Sequence, residues 1–354
     1  MTASRRDGHP SLLYPRPMRR IPLLALLAPA LACGSGATTG TPGDAGSDTA
    51  NVVDAGGTVC RADRWCRVDV GVKPMNTFGS SLEAVSGSSA TDVWTVGQDG
   101  VILHWDGAVW SQAVSGVTAA LGGVYAASPT DAWAVGDAGT IVHWDGSAWS
   151  ASKSGTNATL FGVWGSSGTD VWAVGATGLI LHFDGSAWTP SKSGTTKILN
   201  RVHGTSPNDA WAVGESGTIL HYDGATWLAK NTFTTMALDT VWATTPTDAW
   251  ALQSNGAIMH WDGAQWARTV NEPITTTSFN GIAGPAGNDV WAVGWDAKQS
   301  VAHFDGAAWS MVAGDPVPLN GSLNAVWTPK GSTEVWAVGT PGLNSRYTIW
   351  WRKP

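Results

Sequence analysis

"DAWAVGDAGTIVHWDGSAWS", residues 131–150, recurs with small edits along most of the chain. From Asp92 it reads "DVWTVGQDGVILHWDGAVWS" and from Asp170 "DVWAVGATGLILHFDGSAWT". The acidic residue that opens each copy falls at Asp92, Asp131, Asp170, Asp209, Asp248, Asp289 and Glu334, at intervals of 39, 39, 39, 39, 41 and 45. Seven copies at nearly constant spacing make a structural repeat, and the period decides the fold before any single residue does. Around the opening phrase, the runs "GVYAAS", "AWAVG", "TIVHW" and "SAWSAS" are separated by the turn-formers "PTD", "DAG" and "DG". Short runs rich in Val, Ile and Trp between such turns read as strands. No stretch carries a helical period long enough to compete.

Four strands per unit and seven units of about forty residues predict an all-β, seven-bladed β-propeller with four-stranded antiparallel blades. Asp-Gly recurs at Asp106-Gly107, Asp145-Gly146, Asp184-Gly185, Asp223-Gly224, Asp262-Gly263 and Asp305-Gly306. Between apolar runs this pair predicts a two-residue hairpin with both central residues at φ > 0. The opening Asp of each copy is expected to accept backbone N–H groups in the preceding turn. Thirteen of the 23 tryptophans sit at two equivalent positions. Trp94, Trp133, Trp172, Trp211, Trp250, Trp291 and Trp336 belong to the opening phrase, and Trp110, Trp149, Trp188, Trp227, Trp266 and Trp309 close the hairpin. Such regular placement reads as packing between blades, with the wide indoles filling the wedge. His104, His143, His182, His221, His260 and His303 are likewise symmetric, and six copies around a ring cannot converge on one substrate or one metal.

The phrase "HWDGSAW" resembles the Asp-box (BNR) repeat of sialidase-like propellers, which lies in a third-to-fourth strand hairpin and ends in an aromatic. "GVWGSSGTDVWAVGATGLILHFDG" is similar to repeats of the photosystem II assembly-factor type of propeller. The resemblance covers residues 81 to about 351. His stands where the Asp-box has Ser or Thr, and Asp and Gly are adjacent instead of separated. The seventh copy ends in "YTIWW" with no "DGxxW" strand after it. In "WCRVDVG", Gly71 follows Trp65 by six residues, as Gly116 follows Trp110. Residues 60–71 are therefore expected to supply the outer strand of the last blade and close the ring.

The first 57 residues are of another kind. Arg19 and Arg20 precede the apolar run Ile21–Ala32, and Cys33 follows. This is the layout of a secretory signal, and twelve residues are too few for a hydrocarbon core of about 30 Å. "ALAC" resembles a bacterial lipoprotein signal, which implies cleavage before Cys33 and its lipidation. An ordinary signal peptide that contains a cysteine is the alternative. The expected domains are a signal at 1–32 (with Met18 a possible start), a flexible Gly/Ser/Thr-rich tether at 33–57 and the propeller at 58–354. By resemblance to lipoprotein sorting, the absence of Asp after Cys33 implies the outer membrane or cell surface. Arg5, Arg6, Arg16, Arg19 and Arg20 lie in the leader against Asp7 alone. Of 20 basic and 27 acidic side chains, 15 and 26 therefore remain, a net of −11 that disfavours nucleic acid. Cys60 and Cys66 in "CRADRWC" are expected to pair once exported, with a turn near "ADR" between them. They lack the further ligands a zinc site needs.

Function is expected where the copies differ. After the recurrent Val or Ile of the first strand stand Ser86, Tyr125, Trp164, His203, Trp242, Ala283 and Trp327, with Arg201 two residues before His203. The second-to-third turns carry Asp99, Asp137, Glu215, Asn255, Asp296 and Arg346. The candidate ligand-binding set at the channel mouth is Tyr125, Trp164, Arg201, His203, Trp242, Trp327, Asp137 and Glu215, suited to a polysaccharide, peptide or protein of the cell envelope. A lipid-anchored, monomeric binding or scaffolding module is the leading reading. The alternative is a carbohydrate-active enzyme using paired carboxylates at the mouth. No catalytic residue, cofactor or metal is expected: phosphate loops and metal-ligand clusters are missing from the sequence, and the sialidase arginine cluster has no counterpart.

Overall fold

The computed structural model describes residues 52–53, 59–60, 65–68, 81–269, 278–295, 301–312, 321–341 and 348–352. They form the expected seven-bladed β-propeller. Blade 1 runs Leu82–Ser89, Asp92–Gly97, Ile102–Trp105 and Trp110–Ala113, from the channel outward. Blades 2 to 6 repeat the order, with first strands Leu121–Ser128, Leu160–Ser167, Leu199–Ser206, Leu238–Thr245 and Ser278–Ala286. The second strand, "DVWTVG" in blade 1, is buried at all six positions. Both of its faces meet a neighbouring blade, so it is nearly continuously apolar instead of alternating. The fourth strand buries its Trp and leaves the next two residues exposed, a short polar edge that discourages pairing with other chains.

Blade 7 contributes Ser322–Trp327, Val335–Thr340 and Thr348–Arg352, and its outer strand is Trp65–Arg67 from the other end of the chain. Trp65 pairs with Arg352 and Arg67 with Trp350, as the ring-closure reading expects. The sheet then continues through Val59–Cys60 to Val52–Val53, inside the stretch read as tether. Cys66 is disulfide-bonded, and the antiparallel register places Cys60 opposite it. The side chain of Cys60 and all of residues 1–51, including Cys33, lie outside the described residues.

The tryptophans form a closed circuit. Each second-strand Trp meets the outer-strand Trp of the next blade edge to face: Trp94–Trp149 at 5.2 Å, Trp133–Trp188 at 5.4 Å, Trp172–Trp227 and Trp211–Trp266 at 5.3 Å, Trp250–Trp309 at 5.7 Å. Trp291 meets Trp65 at 5.9 Å, and Trp336 meets Trp110 at 5.7 Å. Trp65 is thus the missing seventh member of the outer set. On its other face each second-strand Trp of blades 1 to 6 packs against its own blade's His, as in Trp94–His104 at 3.9 Å. In blade 7 Trp351 takes the histidine's place against Trp336.

The hairpins differ from the two-residue turn that Asp-Gly suggested. Trp105 pairs with Trp110 across a four-residue loop, and only the Gly has positive φ, 95° at Gly107. The loop is held by its aspartate: the Asp106 carboxylate accepts the N–H groups of Ala108 and Val109. With that cap in place, Asp itself need not enter the left-handed region. In blades 2 and 3 a serine hydroxyl joins the backbone donors and, as the largest cause, holds Asp145 and Asp184 at about 2.

Two outcomes follow. Trp65→Ala is expected to cost about 3–5 kcal/mol in denaturant unfolding, as for other buried Trp truncations. Removal of residues 58–72 should erase most of the cooperative thermal transition, and an unchanged melt would refute closure by this strand. Second, a carboxylate depressed by folding stabilises above its unfolded pKa, near 3.8, and loses that contribution as pH falls through the folded value. The contribution of these two caps to Tm should hold from pH 7 to about pH 4 and be lost toward pH 2, so the pair Asp145→Asn with Asp184→Asn should melt below the parent at pH 7 and converge with it toward pH 2.

Candidate functional site

The symmetric histidines and aspartates are already paired with one another. His104, His143, His182, His221, His260 and His303 each bring Nε2 within 2.6–2.9 Å of the opening Asp of the same blade. The other carboxylate oxygen accepts a hydroxyl from Ser88, Ser166, Thr205 or Thr244. The opening Asp was expected to cap the turn through backbone N–H groups; its chief partners are side chains, because the His of the third strand lies directly across from the second. Burial works against the Asp92 carboxylate, yet His104 and Ser88 outweigh it and hold its pKa below the ordinary value. The hydroxyl donates to the carboxylate and not to the histidine, so the order of contacts differs from a Ser–His–Asp triad, in which the imidazole takes the hydroxyl proton. These contacts stitch together the strands of a single blade.

Asymmetry begins on the first strands. Residues two apart on them face the axis and enclose a channel of about 520 Å³. Tyr125, Trp164, Arg201, His203, Trp242 and Trp327 all line it, together with Ser86 and Ala283. Asp137 and Glu215 do not. They sit on the second-to-third turns Asp137–Gly139 and Glu215–Gly217 of blades 2 and 4, outside the channel wall and with blade 3 between them. The channel lining thus brings together six of the eight expected residues and leaves out these two carboxylates, whose turns bond to Ala120 and Ile198 at the start of the first strands. Asp296 and Arg346 lie outside the described residues.

The aromatics are also not open platforms. A Cβ on Gly165 would lie 2.7 Å from the Tyr125 ring, one on Gly204 2.6 Å from Trp164, and one on Gly87 2.7 Å from Trp327. Each ring thus lies over a glycine of the next blade. The residue after the variable position is Gly87, Ala126, Gly165, Gly204, Ala243, Gly284 or Thr328. Tyr125, Trp164 and Trp327 thus meet glycine, whereas Ser86 and His203 meet alanine and accept its N–H instead, Ala126 at 3.2 Å and Ala243 at 3.1 Å. Burial, and after it the Asp131 and Asp170 charges, push the Tyr125 phenol upward, so it remains neutral.

What remains for recognition is the Arg201–His203 pair. His203 Nδ1 accepts the Ala243 N–H, which leaves the proton on Nε2. Burial holds its pKa at about 4, against the pull of Asp209, so this neutral tautomer prevails at pH 7. Arg201 Nη1 donates to the carbonyls of Phe161 at 2.7 Å and Asn200 at 3.0 Å, yet it forms no ion pair with a described carboxylate. Burial lowers its pKa, opposed by the charges of Glu83 and Asp239. Asp239 is pushed up to about 6 by burial, with Arg201 pulling the other way. Asp239 was absent from the expected set. The register of the repeats exposes it: Gly122, Phe161, Asn200, Asn280 and Asn324 occupy the position where Glu83 and Asp239 carry charge. No grouping of three metal-ligating side chains exists among the described residues.

No protein-family profile matches the chain, and no curated protein does. Among solved structures it is similar to one titled "YCF48 bound to D1 peptide", at 16% identity and TM-score 0.64, over 82% of this chain and 97% of that one. YCF48 from Cyanidioschyzon merolae matches at 15% identity and 0.64, over 82% and 99%. The WD40 propeller domain of Doa1 matches at 12% and 0.63, over 78% and 94%. At these identities the likeness concerns the fold.

Asp239 supplies a test. A carboxyl whose pKa rises on folding binds more protons folded than unfolded between about pH 4 and 6, so stability falls as pH rises through that window. Asp239→Asn should melt higher than the parent at pH 7, and the gap should close below pH 4. A gap independent of pH would contradict the burial of Asp239.

Proposed function

We propose that the chain is an exported, lipid-anchored binding module that takes the end of an extended polypeptide in its central channel. The observation that carries this reading is Arg201: a guanidinium in the channel wall with only carbonyl partners, beside a neutral His203 that presents Nε2–H. Two donors of this kind suit a carboxylate, which a guanidinium binds with fixed geometry. A channel of about 520 Å³ admits a few residues of an extended chain. One of the structures it resembles was solved with a peptide. Export and the anchor at Cys33 rest on Arg19, Arg20 and the apolar run to Ala32.

Sugar recognition gains less support, because Tyr125, Trp164 and Trp327 spend their faces on the next blade's glycines. Hydrolysis gains less still, since the channel wall holds no Asp or Glu among the described residues. The test is calorimetric titration of the protein lacking residues 1–32 with short peptides, each with a free or an amidated C-terminus. Free-carboxylate peptides should bind, Arg201→Gln should weaken them at least tenfold, about 1.4 kcal/mol, and the amide should bind no better than the variant does. Equal binding of acid and amide, or cleavage of the peptide, would defeat this reading.

A further inference from the structure

The two ends of the ring differ in charge. Gly107 abuts Thr91, so the third-to-fourth hairpins share one end with the first-to-second turns. That end carries the six exposed hairpin aspartates and the six aspartates that open the repeats. Gly100, Gly178 and Gly217 abut Val117, Thr195 and Thr234, so the second-to-third turns share the other end with the connections between blades. At that end blade 3 stands apart from its neighbours. Blades 1, 2 and 4 place Asp99, Asp137 and Glu215 in the turn, whereas blade 3 has Ala176 and Thr177. Its connection carries Lys192, at the place of Lys153 in blade 2, and adds Lys197; both are exposed and line a shallow groove of about 640 Å³ with Thr177, Leu179 and Thr196.

The next connection, on blade 4, departs in another way. Blades 1 to 3 place Gly116, Gly155 and Gly194 at φ 72°, 74° and 73°. Blade 4 has Phe233 there, at φ 53° and 78% exposed. A β-carbon in the left-handed region is costly, and here it holds a phenyl ring in solvent. The ring is not there by looseness: the Phe233 N–H donates to Asn231 Oδ1, and the Thr232 hydroxyl donates to the Gly217 carbonyl. Met236, three residues on, is 41% exposed.

We propose that the blade 3 groove and the Phe233–Met236 knob together form a docking surface for an acidic polypeptide segment that carries apolar side chains. The lysines select carboxylates, and the exposed apolar pair selects their apolar neighbours. The carboxylates crowded at the opposite end direct such a segment to this one. The surface is separate from the channel, and either can fail without the other.

The probe is a labelled peptide alternating Glu and Leu, acetylated and amidated so that it offers no terminal carboxylate to Arg201. Fluorescence anisotropy with the protein lacking residues 1–32 should show saturable binding that weakens with salt. The double variant K192E/K197E should weaken it at least tenfold. F233G should weaken it at least fivefold while Tm stays level or rises, since glycine fills the equivalent place in three other blades. R201Q should leave it unchanged. Absence of saturable binding, or equal affinity in F233G, overturns the proposal. Tight binding of heparin or polyglutamate that F233G does not reduce would mark a polyanion site and overturn it as well.

Discussion

The edge-to-face contact between an inner tryptophan of one blade and an outer tryptophan of the next is the constraint that organises this molecule. Seven such contacts close a circuit in which each blade is both donor and recipient. An aromatic pair of this geometry contributes about 0.5–1.5 kcal/mol beyond the area it buries. The larger consequence is geometric. An indole clamped between a histidine on one side and a second indole on the other fixes the separation and tilt of adjacent sheets, and a repeated tilt is what lets seven sheets meet as a ring. Because the seventh outer indole is Trp65, the circuit cannot close until both ends of the chain are in place.

Closure has a corollary for chemistry. The histidines, aspartates and hydroxyls that would catch the eye in any other protein are consumed in holding strands of one blade in register. Each is repeated, and each of the six opening aspartates already pairs with its blade's histidine. Recognition is left to residues the repeat does not need. In the channel those are few, since the inner-strand aromatics are matched to glycines one blade on. The match is a volume rule: a ring enters where the neighbour lacks a β-carbon, and a hydrogen-bonding side chain enters where the neighbour is alanine. Packing at the inner ring is therefore written in pairs of residues about forty apart.

That pairing marks what was legible in the sequence and what was not. The strands, the blade count and the donation of Trp65 could be read because they follow from spacing along the chain. The loop after "HW" could not, since Asp-Gly serves equally in a two-residue turn and in a four-residue loop capped by the Asp carboxylate. Asp137 and Glu215 were placed at the mouth because their turns vary, but variation along the chain carries no radius. Trp164 and Trp327 read as ligand-binding aromatics from their own strands, because the glycines they lie against, Gly204 and Gly87, belong to other copies. Asp239 is inconspicuous in the sequence because it lies three residues before the variable position, Trp242, instead of occupying it.

Departures from a repeat are informative in proportion to what they cost the fold. A substitution that fits as well as the consensus can drift without meaning. Arg201 and Phe233 do not fit as well. One puts a guanidinium against carbonyls where the equivalent residues are Ala84, Gly123, Gly162, Thr240, Gly281 and Ala325, and it raises the question of what answers its charge. The other bends a β-carbon into the left-handed region to hold a ring in water. Both sit in blade 4, one at the axis and one at the rim, on a scaffold whose other blades show the cheaper solution. A ring of near-identical blades thus acts as its own control, and blade 4 is where it departs from stability alone.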